Sequence, residues 1–309
     1  MGGYDEYEFP VPGTFFDDFS TRSPFVSKTW MALKGMKGHV LNIAPLESEI
    51  EANPKLRPPF LTEMSPKQRK AWHQAYDPRN KRYRELEKQG KLKGDERNLY
   101  VYQRFIKDYV RCIDGLDAQI GRILRFLDEE NLAENTLLVY SSDQGFFTGE
   151  HGWAEKRWMY EESFKSPLLV RWPGVIEPGS VIEDLVQNID LAPTFLQAAS
   201  LDVPKALHGL ALQPLFSESG PKEWREEVLY QYFDGGTLQK PGPYNMPRHE
   251  GIRNRRYKLI SFYEYDTWEF YDLHKDPNEL SNLIGDPSMR AKIEGMKKRL
   301  EVVKDRFSP

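Results

Sequence analysis

The chain has 309 residues, 39% of them hydrophobic and 29% charged, with a formal net charge of −4. That length allows one large domain or two smaller ones, and the acidic balance gives no general attraction to nucleic acid or to an anionic membrane surface. No apolar run approaches the roughly 18 residues needed to span a bilayer, and a lone cysteine, Cys112, excludes an internal disulfide framework and a cysteine-rich zinc site.

The opening "MGGYDEYEFPVPGTFF" has no basic n-region and no apolar h-region, so no signal peptide is visible, and its texture is that of the middle of a protein. Up to about residue 97 the chain is rich in proline, aromatics and charge, with little periodicity. One helix is well signalled in "MSPKQRKAWHQAY": Ser65 as N-cap, Pro66 at the first helical position and Gln68 at capping-box spacing. "DPRNKRYRELEKQGKLKGD" predicts a further charged, solvated helix ending near Gly90. The region is expected to be an elaborated surface segment rather than a core.

From 98 to 130 the pattern changes. Phe105, Tyr109, Ile113, Leu116, Ile120, Ile123, Leu124 and Leu127 recur at steps of three and four, which predicts a long amphipathic helix packed along one face. "NTLLVYSSD" and "SPLLVRWPG" read as short buried parallel strands. "NIDLAPTFLQAAS" reads as a helix capped by Asn188 or Asp190. Helix, strand, long loop, strand, helix is an α/β order. The tail holds four short strands, "EEVLYQYF", "GIRNRR", "YKLISFY" and "TWEFYDL", and a closing charged helix near 287 to 305, a small antiparallel α+β subdomain. The expected division is 1–97, 98–220 and 221–309.

In an open α/β sheet, ligands gather at the carboxyl ends of strands. "YSSDQGFFTGEHGWAEKRWMYEES" begins at such an end. The carboxylate of Asp143 and the amide oxygen of Gln144 suit a hard cation, with calcium favoured over zinc or copper. Lys156 could balance an anion beside it, and His151 could supply a hydrogen bond or a proton. Each residue also has a plainer reading, as turn former, surface lysine or loop histidine. Only their joint occurrence at one strand end points to a site.

"SSDQGFFTGEHGWAEKRWMYEESFKSPLLVRWPG" resembles the second metal-ligand segment of the formylglycine-dependent sulfatases, in the alkaline-phosphatase-like superfamily. The family pattern is strand, an Asp-Asn, Asp-His or Asp-Gln pair, Gly, a variable loop, a lysine, a Tyr-Glu pair, then strand and Pro-Gly. The preceding helix, "NIDLAPTFLQAA" and "YKLISFY…WEFYDLHKDPNELSNL" extend the resemblance over about residues 98 to 305, and more loosely over 8 to 97. The type is that of glycan sulfatases similar to N-acetylglucosamine-6-sulfatases and iduronate-2-sulfatases. The resemblance implies part of an alkaline-phosphatase-like sandwich, with helices around a mostly parallel sheet, followed by the antiparallel subdomain. It implies Ca2+ held by Asp143 and Gln144, Lys156 on the sulfate and its leaving oxygen, and His151 near the substrate. In "RHEGIRNRRYKLI", His249 and Arg253 would face a sulfated sugar or glycan. It also implies a periplasmic, secreted or lysosomal setting, while charge and hydropathy give the expectation of no nucleic acid partner and no membrane insertion.

The family's nucleophile is a formylglycine made within Cys/Ser-x-Pro/Ala-x-Arg, and this sequence contains no such motif. Cys112, in "VRCIDG", reads as a packed helix cysteine. Asp17-Asp18 in "TFFDDFSTRSP" follows no buried apolar strand, so it is read as a solvated turn with an Asp cap rather than a second pair of metal ligands. The chain is therefore expected to be a partial sulfatase, inactive alone. The alternatives are a metal-dependent phosphatase or phosphodiesterase of the same superfamily, which would need more imidazole ligands than Gln144 allows, and a non-catalytic paralogue that binds sulfated glycans.

Overall fold

A computed structural model describes residues 3–36, 41–217, 220–221, 223–234 and 246–307. The chain forms two compact units, one of residues 1–16, 30–121 and 148–154, the other of residues 17–29, 122–147 and 155–309.

The first unit holds helices Glu47–Ala52 (α1), Pro59–Thr62 (α2), Pro66–Lys88 (α3) and the start of Gly94–Glu129 (α4). Ser65 caps α3 as expected: its hydroxyl accepts the Gln68 N–H at 3.3 Å, and the Gln68 side chain accepts the Ser65 N–H at 2.9 Å. The two helices expected between 65 and 90 are a single one, which continues through Pro78. Proline removes one backbone donor, but α3 is anchored on both sides of it by buried Trp72, His73, Asn80 and Tyr83. This segment is not mere surface. Ala44, Ile50, Leu61 and Trp72 form a core, with Phe60, Met64 and Tyr76 against it.

α4 is packed only in its first half, where Val101, Tyr102, Phe105 and Ile106 are buried. Farther along, Ile113, Leu116, Ile123 and Phe126 are exposed, so the apolar stripe is present but the described residues do not cover all of it. Cys112 is likewise exposed rather than packed. No helix among the described residues is long and apolar enough to cross a membrane.

Four short strands follow: Leu138–Ser141 (β1), Phe147–Thr148 (β2), Ala154–Glu155 (β3) and Leu168–Arg171 (β4). β1 and β4 were expected as buried parallel strands. They pair antiparallel instead, with Leu138 opposite Arg171 and Ser141 opposite Leu168. They are only half-buried, and Leu169 is 67% exposed. An apolar run marks a strand without marking its direction. Between them lies the turn Glu161–Phe164 (α5), and after them Leu191–Ala198 (α6). The buried carboxylate of Asp190 accepts the Gln187 and Leu210 N–H groups at 2.7 and 2.8 Å and pairs with Arg225.

The C-terminal subdomain follows the expected order. Strands Glu227–Tyr232 (β5), His249–Asn254 (β6), Tyr257–Phe262 (β7) and Thr267–Asp272 (β8) make an antiparallel meander, and Arg290–Phe307 (α7) closes the chain. Ile293, Met296, Leu300 and Val303 of α7 pack on Ile252, Leu259 and Phe270 of the sheet. Leu300 is fully enclosed there. Leu300→Ala is expected to lower unfolding stability by about 2–5 kcal/mol through the cavity it leaves. Urea unfolding followed by fluorescence should show this as a lower midpoint at unchanged slope.

Candidate anion and metal site

The candidate site begins where β1 ends. Asp143 is exposed and Gln144 half-buried, and the Gln144 amide lies against the Asp143 carboxylate at 3.2 Å. No cationic side chain among the described residues pairs with Asp143, whose other neighbour is the Ser142 hydroxyl at 3.2 Å. Gly145 fixes the turn that follows. Its N–H donates to the Ser163 carbonyl at 2.9 Å, and a Cβ at this position would stand 2.1 Å from the Glu162 carbonyl oxygen. Only glycine fits so close an approach, so the Asp-Gln-Gly corner is pressed onto α5.

Two adjacent oxygen-bearing side chains, with no cation beside the carboxylate, suit a hard cation such as calcium, which takes roughly six to eight oxygen ligands. Asp143 and Gln144 would be two of them. No cluster of three or more His, Cys, Asp or Glu side chains that could hold a metal occurs among the described residues.

Lys156 is half-buried and, among the described residues, no carboxylate or hydrogen-bond acceptor holds its amine. Its neighbours on both sides have left-handed backbone: Glu155 at φ 94° and Arg157 at φ 96°. Side-chain-bearing residues avoid this region, and each one held there costs about 1–3 kcal/mol. The turn is pinned by the Arg157–Glu155 ion pair at 2.7 Å, by the Arg157 N–H to the Ser163 hydroxyl at 2.8 Å, and by the Tyr230 hydroxyl, which donates to the Arg157 carbonyl.

Behind this turn lies a buried polar group that sequence reasoning missed. Lys258 is fully enclosed, 2.9 Å from Glu161 and 2.8 Å from Glu279, and it donates to the Met159 carbonyl at 2.7 Å. Arg253 pairs with Glu161 at 3.1 Å. Burial alone would raise the Glu161 carboxyl, but Lys258 and then Arg253 outweigh it and hold it down at about 2. Glu279, wholly enclosed, is pushed up to about 7 by burial, which Lys258 only partly offsets. The signal was a lysine inside the otherwise apolar strand "YKLISF", since a charge in a buried strand requires a partner.

Three of the expected site residues share a cleft. Asp143, Gln144 and Arg253 line one cleft of about 640 Å³ in the second unit, together with Phe164, Lys165 and Tyr230. Lys156 lies outside its lining. His151 belongs to the first unit and is 1% exposed, its N–H donating to the Thr14 hydroxyl at 3.1 Å and its ring beside Trp153. His249 is 0% exposed, boxed by Trp158, Tyr230, Tyr232 and Phe262. The two histidines expected near substrate are thus both buried, and neither ring reaches solvent. Arg253 lies on the cleft wall with its guanidinium committed to Glu161. Asp17-Asp18 is a turn, as expected: the two carboxylates accept the Phe19 and Ser20 N–H groups at 3.0 and 2.8 Å. Asp17, however, is buried against Arg22 rather than solvated.

Comparison with known proteins places the chain in a family. Residues 149–306 match the family described as N-sulphoglucosamine sulphohydrolase, C-terminal, and residues 49–201 match the family described as Sulfatase. An N-acetylglucosamine-6-O-sulfatase of Bacteroides thetaiotaomicron is 33% identical over 99% of this chain and 54% of its own length. A solved structure described as being in complex with its substrate, D-glucosamine-2-N,6-O-disulfate, superposes with TM-score 0.90 at 33% identity, over 98% of this chain and 61% of its own. A phosphonate monoester hydrolase from Silicibacter pomeroyi matches with TM-score 0.62 at 26% identity, over 69% of this chain and 42% of its own. The chain thus spans about half the length of the curated relatives it matches. Its fold is the α/β, alkaline-phosphatase-like fold of these neighbours.

Burial, first of all, lowers the pKa of His249 from 6.5 to about 4, with the Pro247 and Arg157 carbonyls opposing the shift. The unfolded chain therefore binds this proton more tightly, so the stabilisation is complete above pH 6.5 and is lost as pH falls towards 4. The expected loss is roughly 3 kcal/mol across that window. His249→Phe fills the same aromatic box without a titrating group. Urea midpoints for parent and variant should diverge between pH 7 and pH 4 by that amount; parallel curves would show that His249 does not titrate in the core.

Proposed function

Because the chain belongs to the sulfatase family, we propose that it carries one wall of a sulfuric ester hydrolase site that acts on a sulfated sugar. The observation that supports this most is Lys156: a half-buried amine without a carboxylate partner, presented between two strained residues. Hydrolysis of a sulfate ester transfers the sulfuryl group from the sugar oxygen to water, and the sugar oxygen leaves as a hydroxyl. Negative charge grows on that leaving oxygen, and a preorganised ammonium there stabilises the transition state more than the ground state. Lys156 is assigned that role. Asp143 and Gln144 are the residues of this chain that would hold calcium, which would neutralise charge on the sulfate oxygens.

Arg253 belongs to the cleft wall as one half of an ion pair with Glu161 rather than as an open guanidinium. The two buried histidines have no substrate contact in this proposal. A sugar substrate is favoured by the relative named for N-acetylglucosamine 6-O-sulfate chemistry. The same relationship supports an exported setting, periplasmic, secreted or lysosomal. The phosphonate monoester hydrolase likeness keeps phosphoryl chemistry as a second reading, against which Gln144 stands as a weak ligand for a transition metal.

With calcium present, calorimetric titration of the 309-residue chain should show binding of N-acetylglucosamine 6-sulfate in preference to unsulfated N-acetylglucosamine. Lys156→Ala should weaken that binding by about tenfold, as expected for loss of one charge-assisted contact. Equal affinity for the two sugars would sink the proposal, and preference for the 6-phosphate would favour phosphoryl chemistry. No sulfate release is expected from this polypeptide by itself, since it contains no formylglycine motif.

A further inference from the structure

The strained turn around Lys156 needs a source of order, because backbone of this kind persists only where its surroundings over-determine it. The C-terminal sheet supplies that order at two points. Tyr230 of β5 donates its hydroxyl hydrogen to the Arg157 carbonyl, and Lys258 of β7 donates to the Met159 carbonyl at 2.7 Å. Carbonyls on either side of buried Trp158 are thus held by strands that flank β6. β6 makes room between them. A Cβ on Gly251 would stand 2.4 Å from the Met159 sulfur, so the bare glycine lets Met159 lie directly on the strand. The gripping groups are themselves fixed. Lys258 is enclosed between Glu161 and Glu279, and the Glu161 N–H donates to Glu279 at 2.7 Å.

We propose that Tyr230 and Lys258 are positioning residues for Lys156, holding the main chain at Arg157 and Met159 so that the turn presents the Lys156 amine to an anion. This rests on the anion-binding role assigned to Lys156 above. The Tyr230 hydroxyl is spent on a backbone carbonyl, and the Lys258 ammonium on a backbone carbonyl and two carboxylates, so neither needs to touch a ligand. A lysine carries large rotamer freedom, and an anchored backbone is what allows its amine to be aimed. The direction of Lys156 is then set by the C-terminal subdomain, through contacts distant in sequence.

Tyr230→Phe tests this in the 309-residue chain, because it removes one donor and keeps the ring. Hydrogen exchange read by mass spectrometry should show the amides of residues 156–159 exchanging about fivefold faster in the variant, with the rest of the sheet unchanged. In parallel, amine labelling of Lys156 should be slowed by inorganic sulfate in the parent, and that protection should be lost in Tyr230→Phe. Lys258→Met should show the same pattern more strongly if it folds; if it does not fold, Tyr230→Phe decides. Unchanged exchange at 156–159, or equal sulfate protection in parent and variant, would overturn the proposal. Absence of sulfate protection in the parent would instead overturn the role of Lys156 itself, whatever the exchange shows.

Discussion

The ammonium of Lys258, closed off from solvent between the carboxylates of Glu161 and Glu279, is the constraint around which the second unit is arranged. A charge moved from water into a protein interior is tolerated only when it is paired and hydrogen-bonded. Glu279 completes the pairing at one side and also accepts the Glu161 N–H, while its own backbone carbonyl accepts from Arg22. Glu269 acts in the same way nearby, accepting the Ser23 N–H and the hydroxyls of Tyr160 and Tyr271. Two buried acids from the C-terminal subdomain therefore tie together residues 17–29, the segment after Lys156 and the sheet. This explains why 17–29 packs with chain more than two hundred positions away: the Ser23 N–H meets the Glu269 carboxylate, and the Arg22 guanidinium meets the Glu279 backbone carbonyl.

The candidate site obeys the opposite rule. Charges committed to the fold are enclosed and paired, whereas Asp143 and Lys156 are accessible and, among the described residues, have no opposite charge beside them. Asp143 is exposed and Lys156 half-buried, so water still reaches both charges, and each stays available to a ligand of opposite sign. The strain at Glu155 and Arg157 belongs to the same division of labour. Stability supplied by packing and buried ion pairs holds a turn that local preference disfavours, which is the usual relation between a rigid scaffold and a functional loop.

Much of the fold was legible in the sequence where the signal is local. The Ser65 cap, the four C-terminal strands and the closing helix all appear because capping chemistry and residue periodicity act over a few positions. The misreadings share a cause. Residues 65 to 90 read as two helices, but buried contacts on both sides of Pro78 carry a single α3 through it. Cys112 and the distal stripe of α4 looked packed, yet a helix cannot specify in its own sequence what will cover its apolar face.

By itself, the sequence determined the elements and the chemical inventory: an Asp-Gln pair at a strand end, a lysine on the loop after it, and the motifs that connect both to sulfatases. Side-chain chemistry and short-range periodicity are properties of the chain at each position. Only the tertiary structure decided that β1 and β4 run antiparallel, that His151 and His249 are sealed away, and that Lys258, Glu161 and Glu279 meet. Those outcomes depend on which distant segments come to lie against a residue, and burial and pairing are set by that company rather than by the residue alone.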